Sequence, residues 1–444
     1  MAELKRTDLA LRAERAVLVQ VVVRGEDVDH DATFEELASL ARSARARVVG
    51  RLRQKRDKPD PACYVGKGKV RELAALCGSE DANVVVCDDE LSPAQVKNLE
   101  RKLDLKVVDR SEVILDIFAS HARTKQARLQ VELAQLEYEL PRLKRMWTHL
   151  DRTAGGTLGG PAGGGIGVRG PGEKQLEVDR RLVQRRIHDL KQSLERIERQ
   201  RHTMVTDRNE QFITVALVGY TNAGKSSLMN ALTGAGVSVR NRLFETLDTR
   251  TREWELGDGR KALISDTVGF VRKFPHHLVA SFHATLEEAR EADLLLHVID
   301  ASQHNAEEEV HSVQEALDEV DCSDKPTVYL LNKIDLVEDL SELPLVRQLV
   351  GDVICTSATT GEGLDEIEQR VMEILNRRLD EFCVVTGVEN GRLVAFLHEN
   401  GQVLDRACHD ATMELRVRME PKYAGMARSM GADVEAVPET PDVA

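Results

Sequence analysis

Over residues 1–120, short β-branched runs alternate with stretches in which apolar side chains recur every three or four positions. Val17–Val23 reads as a buried strand, and Phe34, Leu37, Leu40 and Ala41 as one face of a helix. Val48 and Val49 with Leu52 predict a second strand, Val70, Leu73, Ala74 and Leu76 a second helix, and Val84–Val86 a third strand. Ser92-Pro93 has the order of an N-cap followed by proline in the first helical position, and Lys106–Asp109 closes the set. Such alternation predicts an N-terminal α/β domain over 1–120 with a mostly parallel sheet.

The rhythm changes at 121–208. Leu129, Leu133, Leu136, Leu140, Leu143 and Trp147 form one heptad seam, and Val183, Ile187, Leu190, Leu194 and Ile197 a second. Two seams joined by one loop predict an antiparallel helical hairpin, with a kink at Pro141. The loop, 155–172, holds ten of the chain's 30 glycines and no acidic residue.

Strand patterns return over 209–380. Ile213–Val218, Leu263-Ile264, Leu294–Ile299, Val328–Leu331 and Val353–Cys355 each read as a buried strand, and Leu228 and Leu232 mark a helix. Residues 381–444 predict a small α+β domain in which Leu393–Leu397 and Met413–Val417 are strands. Asp433, Glu435, Glu439 and Asp442 mark the end of the chain as a disordered acidic tail. The fold class is therefore multidomain α/β.

Charge alters this picture. The chain carries a formal −14, but 121–208 has 18 basic against 11 acidic residues, a net of +7 that leaves −21 elsewhere. One basic segment in an acidic protein points to a polyanionic partner. Seven cysteines without a C-x-x-C spacing read as reduced thiols rather than a zinc site. The start runs into charges with no apolar leader, and no apolar run is long enough to span a bilayer, so a cytoplasmic monomer is expected.

The chemistry lies in three ordered motifs. Gly219, Tyr220, Thr221, Asn222, Ala223, Gly224, Lys225 and Ser226 match G-x-x-x-x-G-K-[ST], a loop whose backbone N–H groups wrap phosphates while Lys225 reaches the β- and γ-phosphates and Ser226 ligates Mg²⁺. Asp266, Thr267, Val268 and Gly269 read D-x-x-G, with Asp266 on Mg²⁺ through water and the Gly269 N–H at the γ-phosphate. Asn332, Lys333, Ile334 and Asp335 read N-K-x-D. The Asp335 carboxylate can accept from guanine N1–H and N2–H, which selects GTP over ATP. Ser357 and Ala358 offer backbone to guanine O6. Phe244, Glu245, Thr246, Leu247 and Asp248 read as the first switch, with Thr246 preferred over Thr249 as the remaining metal ligand. Catalysis would fall on Lys225, Thr246 and Gly269. Where many GTPases place a water-orienting Gln after D-x-x-G, this chain has Phe270, which predicts slow unassisted hydrolysis. Gly66-Lys67-Gly68-Lys69 lacks phosphate-loop spacing and reads as a turn.

Together with Tyr64–Lys69, the run Gly170–Glu177 and Asp266–Val271, these motifs resemble the HflX family of ribosome-associated P-loop GTPases over nearly the whole chain. The resemblance implies binding to the large ribosomal subunit, splitting of stalled or idle ribosomes, and in several members ATP hydrolysis involving the N-terminal domain. It also places the Gly-rich tip near the peptidyl transferase region and the C-terminal domain near the factor-binding region. Arg169, Arg180, Arg181, Arg185 and Arg186 are the candidate rRNA contacts. Two other readings share the motifs: a GTPase of ribosome assembly or RNA modification, and a nucleotide-gated RNA-binding module.

Overall fold

The computed structural model describes residues 14–25, 29–146, 171–209, 212–234, 243–244, 250–257, 260–272, 288–303, 305–337, 348–376, 379–409, 411–419 and 421–437. The first unit runs β1 (Arg15–Val23), α1 (His30–Ser43), β2 (Arg47–Arg56), α2 (Lys67–Ser79), β3 (Val84–Cys87), α3 (Pro93–Leu103), β4 (Lys106–Asp109) and α4 (Arg110–His121). Its sheet has the order β2-β1-β3-β4 with every pair parallel. The unbroken apolar run of β1 follows from burial on both faces: Ala16 and Leu18 enter one core, Val17, Val19 and Val21 the other. Ser92 begins α3 with a full capping box to Gln95.

Helices α5 (Lys125–Met146) and α6 (Pro171–Asn209) form the hairpin. Leu133 packs with Leu190 and Leu194, joined by Leu129, Leu136 and Ile187. The ion pairs Glu132–Arg186 and Glu137–Lys191 set g against g and e against e, as antiparallel helices do. One helix passes through Pro141 and continues to Met146, so the proline does not break it. The Asp109 carboxylate ties α5 to the first unit, accepting from the Tyr138 hydroxyl at 2.8 Å and from Arg142 at 2.8 Å. Most of the Gly-rich loop, including Arg169, lies outside the described residues.

The third unit comprises β5 (Ile213–Gly219), α7 (Lys225–Thr233), β6 (Arg250–Glu255), β7 (Lys261–Asp266), β8 (Leu294–Asp300), α8 (Ala306–Asp318), β9 (Thr327–Asn332), a 3₁₀ turn (Ile334–Leu336), β10 (Val353–Cys355) and α9 (Leu364–Asn376). Its sheet order is β10-β9-β8-β5-β7-β6, parallel except for β6 against β7.

The last unit runs β11 (Asp380–Gly387), α10 (Gly391–Asn400), β12 (Gly401–His409), β13 (Thr412–Met419), α11 (Pro421–Ser429) and β14 (Asp433–Ala436). Its antiparallel order β12-β13-β11-β14 is that of the ferredoxin-like βαββαβ fold. Two expectations are corrected here. Leu393–Leu397 is helical: the Asn390 side chain caps α10, and Leu393 and Leu397, four residues apart, are its buried residues. Asp433 and Glu435 belong to β14, paired with β11, and only residues 438–444 of the expected tail lie outside the described residues.

Candidate functional site

Parallel strands open their carboxyl ends toward one edge of the sheet, and every motif of the third unit starts there. The phosphate loop follows β5, Asp266 ends β7, Asn332 ends β9, and Thr356 follows β10. Residues scattered over more than a hundred positions thus meet at a single edge.

The loop turns tightly because its glycines permit it. Gly224 has φ +97°, and any Cβ there would collide with the Asn332 amide. Lys225 is buried and curls back to donate to the Gly219 and Tyr220 carbonyls at 2.9 and 2.7 Å. Burial lowers its pKa to about 8, against an opposing pull from Asp266. A buried ammonium without a carboxylate ion pair of its own is a site that an anion would stabilise.

Ser226 donates to Asp266 at 2.5 Å, so two oxygen-bearing side chains of the kind a hard cation prefers sit side by side. Asp266 is fully buried. A Cβ on Gly269 would lie 2.7 Å from Thr221 Cα and 2.9 Å from the Lys225 ammonium. Gly269 therefore approaches the loop as closely as backbone allows. Phe270 takes no polar role through its ring, which is buried in the core; its backbone pairs with the phosphate loop, accepting from Thr221 N at 2.7 Å and donating to Gly219 O at 3.2 Å.

Across the edge, Asn332 braces two loops at once. Its amide donates to Ala223 O at 2.8 Å and accepts from Ala358 N at 3.1 Å. Lys333 adopts φ +65° and pairs with Asp300 at 2.6 Å. Ser357 donates to the Asp335 carboxylate at 2.6 Å, while Asp335 itself is exposed. Glu245, Thr246, Leu247, Asp248 and Thr249 lie outside the described residues; Phe244 is described, and it is buried.

Sequence reasoning missed the polar cluster beneath the loop. The Tyr220 hydroxyl donates to Glu36 at 2.6 Å and accepts from Arg272 N at 2.6 Å. Arg110 pairs with Asp88 at 2.9 Å and with Glu36, and donates to Arg272 O at 3.2 Å. Arg272 pairs with Glu308 at 2.6 Å. No spacing rule links residues so far apart in the chain. On the hairpin, Arg181 and Arg185 are exposed and Arg180 is half-buried. Arg186 is held bidentately by Glu132 at 2.7 and 2.8 Å, so its charge is already matched within the hairpin.

Four sequence families tile the chain. Residues 31–119 match the family described as GTP-binding GTPase N-terminal, 121–208 its middle region, 214–333 the 50S ribosome-binding GTPases, and 347–440 the HflX C-terminal domain. GTPase HflX of Magnetococcus marinus is 43% identical over 418 residues, covering 93% of this chain and 94% of that protein. GTPase HflX of Escherichia coli K12 is 41% identical over 410 residues, covering 91% and 93%. A GTP-binding protein from Sulfolobus solfataricus solved with GDP aligns at 27% identity with a TM-score of 0.43, over 81% of this chain and 98% of that one. Sheet order and phosphate loop define a P-loop GTPase. Within that class, the chain belongs to the HflX family. Among the described residues, no helix is long and apolar enough to cross a membrane.

Proposed function

We propose that this protein binds the large ribosomal subunit and splits or rescues stalled and idle ribosomes, with GTP hydrolysis stimulated by the ribosome. The observation that carries the reading is that residues matching the 50S ribosome-binding GTPases bring Lys225, Ser226, Asp266 and Asn332 to one sheet edge. In this reading the phosphate-loop N–H groups and Lys225 bind the triphosphate, and the Gly269 N–H meets the γ-phosphate. Ser226, Asp266 and Thr246 would hold Mg²⁺, which would supply positive charge against the phosphates. The Ser226–Asp266 donor pair suits such a hard cation. Asp335 reads guanine and Asn332 holds the two base-side loops in register; the Ala358 N–H, which donates to Asn332 at 3.1 Å, would turn to the guanine O6 when the base binds.

GTP would order the first switch, and that ordered state would fit the large subunit. Arg180, Arg181 and Arg185 then offer positive charge to rRNA phosphates, and the glycine-rich tip enters where only small residues fit. The hairpin wedges between subunits and the GDP form leaves.

Incubating intact ribosomes with this protein and GTP, then resolving them on a sucrose gradient, tests the reading. Separated subunits are expected with the wild type and intact ribosomes with Lys225→Ala. Ribosomes that stay intact with both proteins, under conditions where the wild type hydrolyses GTP, would move the function to assembly or RNA modification.

A further inference from the structure

Most polar side chains of the phosphate loop and its neighbours already have partners. Lys225 donates to two carbonyls, Ser226 to Asp266, Asn332 to Ala223, and Ser357 to Asp335. Thr221 is the exception. Only 6% of it is exposed, yet its hydroxyl has no hydrogen-bond partner; among the described residues of the phosphate loop it is the one buried side-chain polar atom in that condition. Burying a hydroxyl unpaired is unfavourable, so such a group in a native protein calls for a partner, whether a water, an ion or a substrate.

Its location says what that partner is. A point one bond out from Gly269 Cα lies 2.8 Å from Thr221 Cγ2 and 2.9 Å from the Lys225 ammonium. Thr221 thus stands at the meeting point of the phosphate loop, the lysine and the D-x-x-G turn, with its Cγ2 methyl turned to that point and its hydroxyl, on the same Cβ, one χ1 rotation away. The Thr221 backbone is fixed there by its N–H bond to Phe270 O at 2.7 Å. The residue that fixes it is the same one that puts a phenyl ring where a water-orienting amide would otherwise stand. The ring is buried and carries no donor or acceptor.

We propose that Thr221 is a catalytic residue of this GTPase, its hydroxyl doing part of the work that Phe270 cannot. The proposal rests on the nucleotide site described above. In the reaction, the water oxygen forms the new bond to the γ-phosphorus. The bond from that phosphorus to the β,γ-bridging oxygen breaks, its electron pair stays on GDP, and the water's proton passes to the departing phosphate. The Thr221 hydroxyl is not consumed: it donates to a γ-phosphoryl oxygen and accepts from the water, holding the two in line.

Thr221→Val keeps the shape and removes the hydroxyl; Thr221→Ser keeps the hydroxyl. Two readouts on the full chain decide the matter: single-turnover GTP hydrolysis, and equilibrium binding of GDP and of a non-hydrolysable GTP analogue. Thr221→Val is expected to slow hydrolysis by tenfold to a hundredfold, on the order seen when one positioned donor is removed. It is also expected to weaken the analogue relative to GDP, with GDP binding showing that the variant is folded. Thr221→Ser should restore most of both. A Thr221→Val variant that hydrolyses at the wild-type rate overturns the proposal and leaves the site reading intact. Equal losses in Thr221→Val and Thr221→Ser, or equal weakening of GDP and analogue, overturn it in favour of a packing role. Wild-type protein that binds neither nucleotide would instead remove the site reading itself.

Discussion

At the scale of single residues, Lys225 ties the nucleotide site to pH. Burial brings its pKa down to about 8, so the folded protein without nucleotide releases this proton more readily than the unfolded chain, whose lysine keeps its ordinary value near 10.5. The unfolded chain therefore binds more protons between those values, and the cost of the buried charge, full below pH 8, is relieved as pH rises through the window. Lys225→Met should accordingly stabilise the nucleotide-free protein at pH 7, by roughly 1–3 kcal/mol, while abolishing GDP binding; a denaturant titration with a parallel binding assay checks both. Nucleotide affinity runs the other way: it should fall as pH rises above about 8, because the triphosphate needs the ammonium. Glu309, raised to about 8 by burial and by Asp300, titrates in the same range, so the binding series is repeated in Glu309→Gln, where the fall should persist. Asp335→Asn replaces an acceptor with a donor facing guanine N1–H and should weaken GTP by about 2–4 kcal/mol, read by competition between GTP and xanthosine triphosphate.

At the scale of elements, strands were more legible than short helices. The valine-rich runs of β1 and β3 favour a strand over a helix, and each is a strand. The run Leu393–Leu397 is apolar at almost every position, so its period says nothing about which element it forms; the Asn390 cap was the available signal. Strand β14 was hidden because its exposed Asp433 and Glu435 flank one buried valine, Val434, on an edge strand. The motif loops were legible since each follows a buried strand. The cluster under the loop was not, because Glu36, Asp88, Arg110, Tyr220 and Arg272 become neighbours only when two units pack. Arg110 is the keystone of that cluster, fully buried between Asp88 and Glu36. Arg110→Met leaves two buried carboxylates without their shared cation, and a loss of about 3–5 kcal/mol is expected. Thermal unfolding would show it as an early transition of the first unit; an unchanged melting curve would mean that the pairs contribute nothing net.

At the scale of the molecule, the first and third units share one core. Phe118 of α4 meets Phe244 edge to face, with centroids 4.6 Å apart and rings at 73°. Ser43 accepts from the Leu243 N–H at 3.3 Å, and Tyr220 reaches Glu36. The N-terminal unit therefore touches the start of the first switch, the phosphate loop and the residues after D-x-x-G together. Asp109 in turn fixes α5 of the hairpin to that unit. A contiguous path of packed elements leads from the nucleotide edge to the basic helices, and in the proposed function that path would couple nucleotide state to subunit engagement. The measurement that tests this coupling most directly is GTP turnover by the full chain with and without purified large ribosomal subunits, Lys225→Ala serving as the control. A rate raised at least about tenfold by the subunit is expected, in keeping with a site completed by its partner, and no turnover in the variant. A wild-type rate that the large subunit leaves unchanged would contradict that coupling.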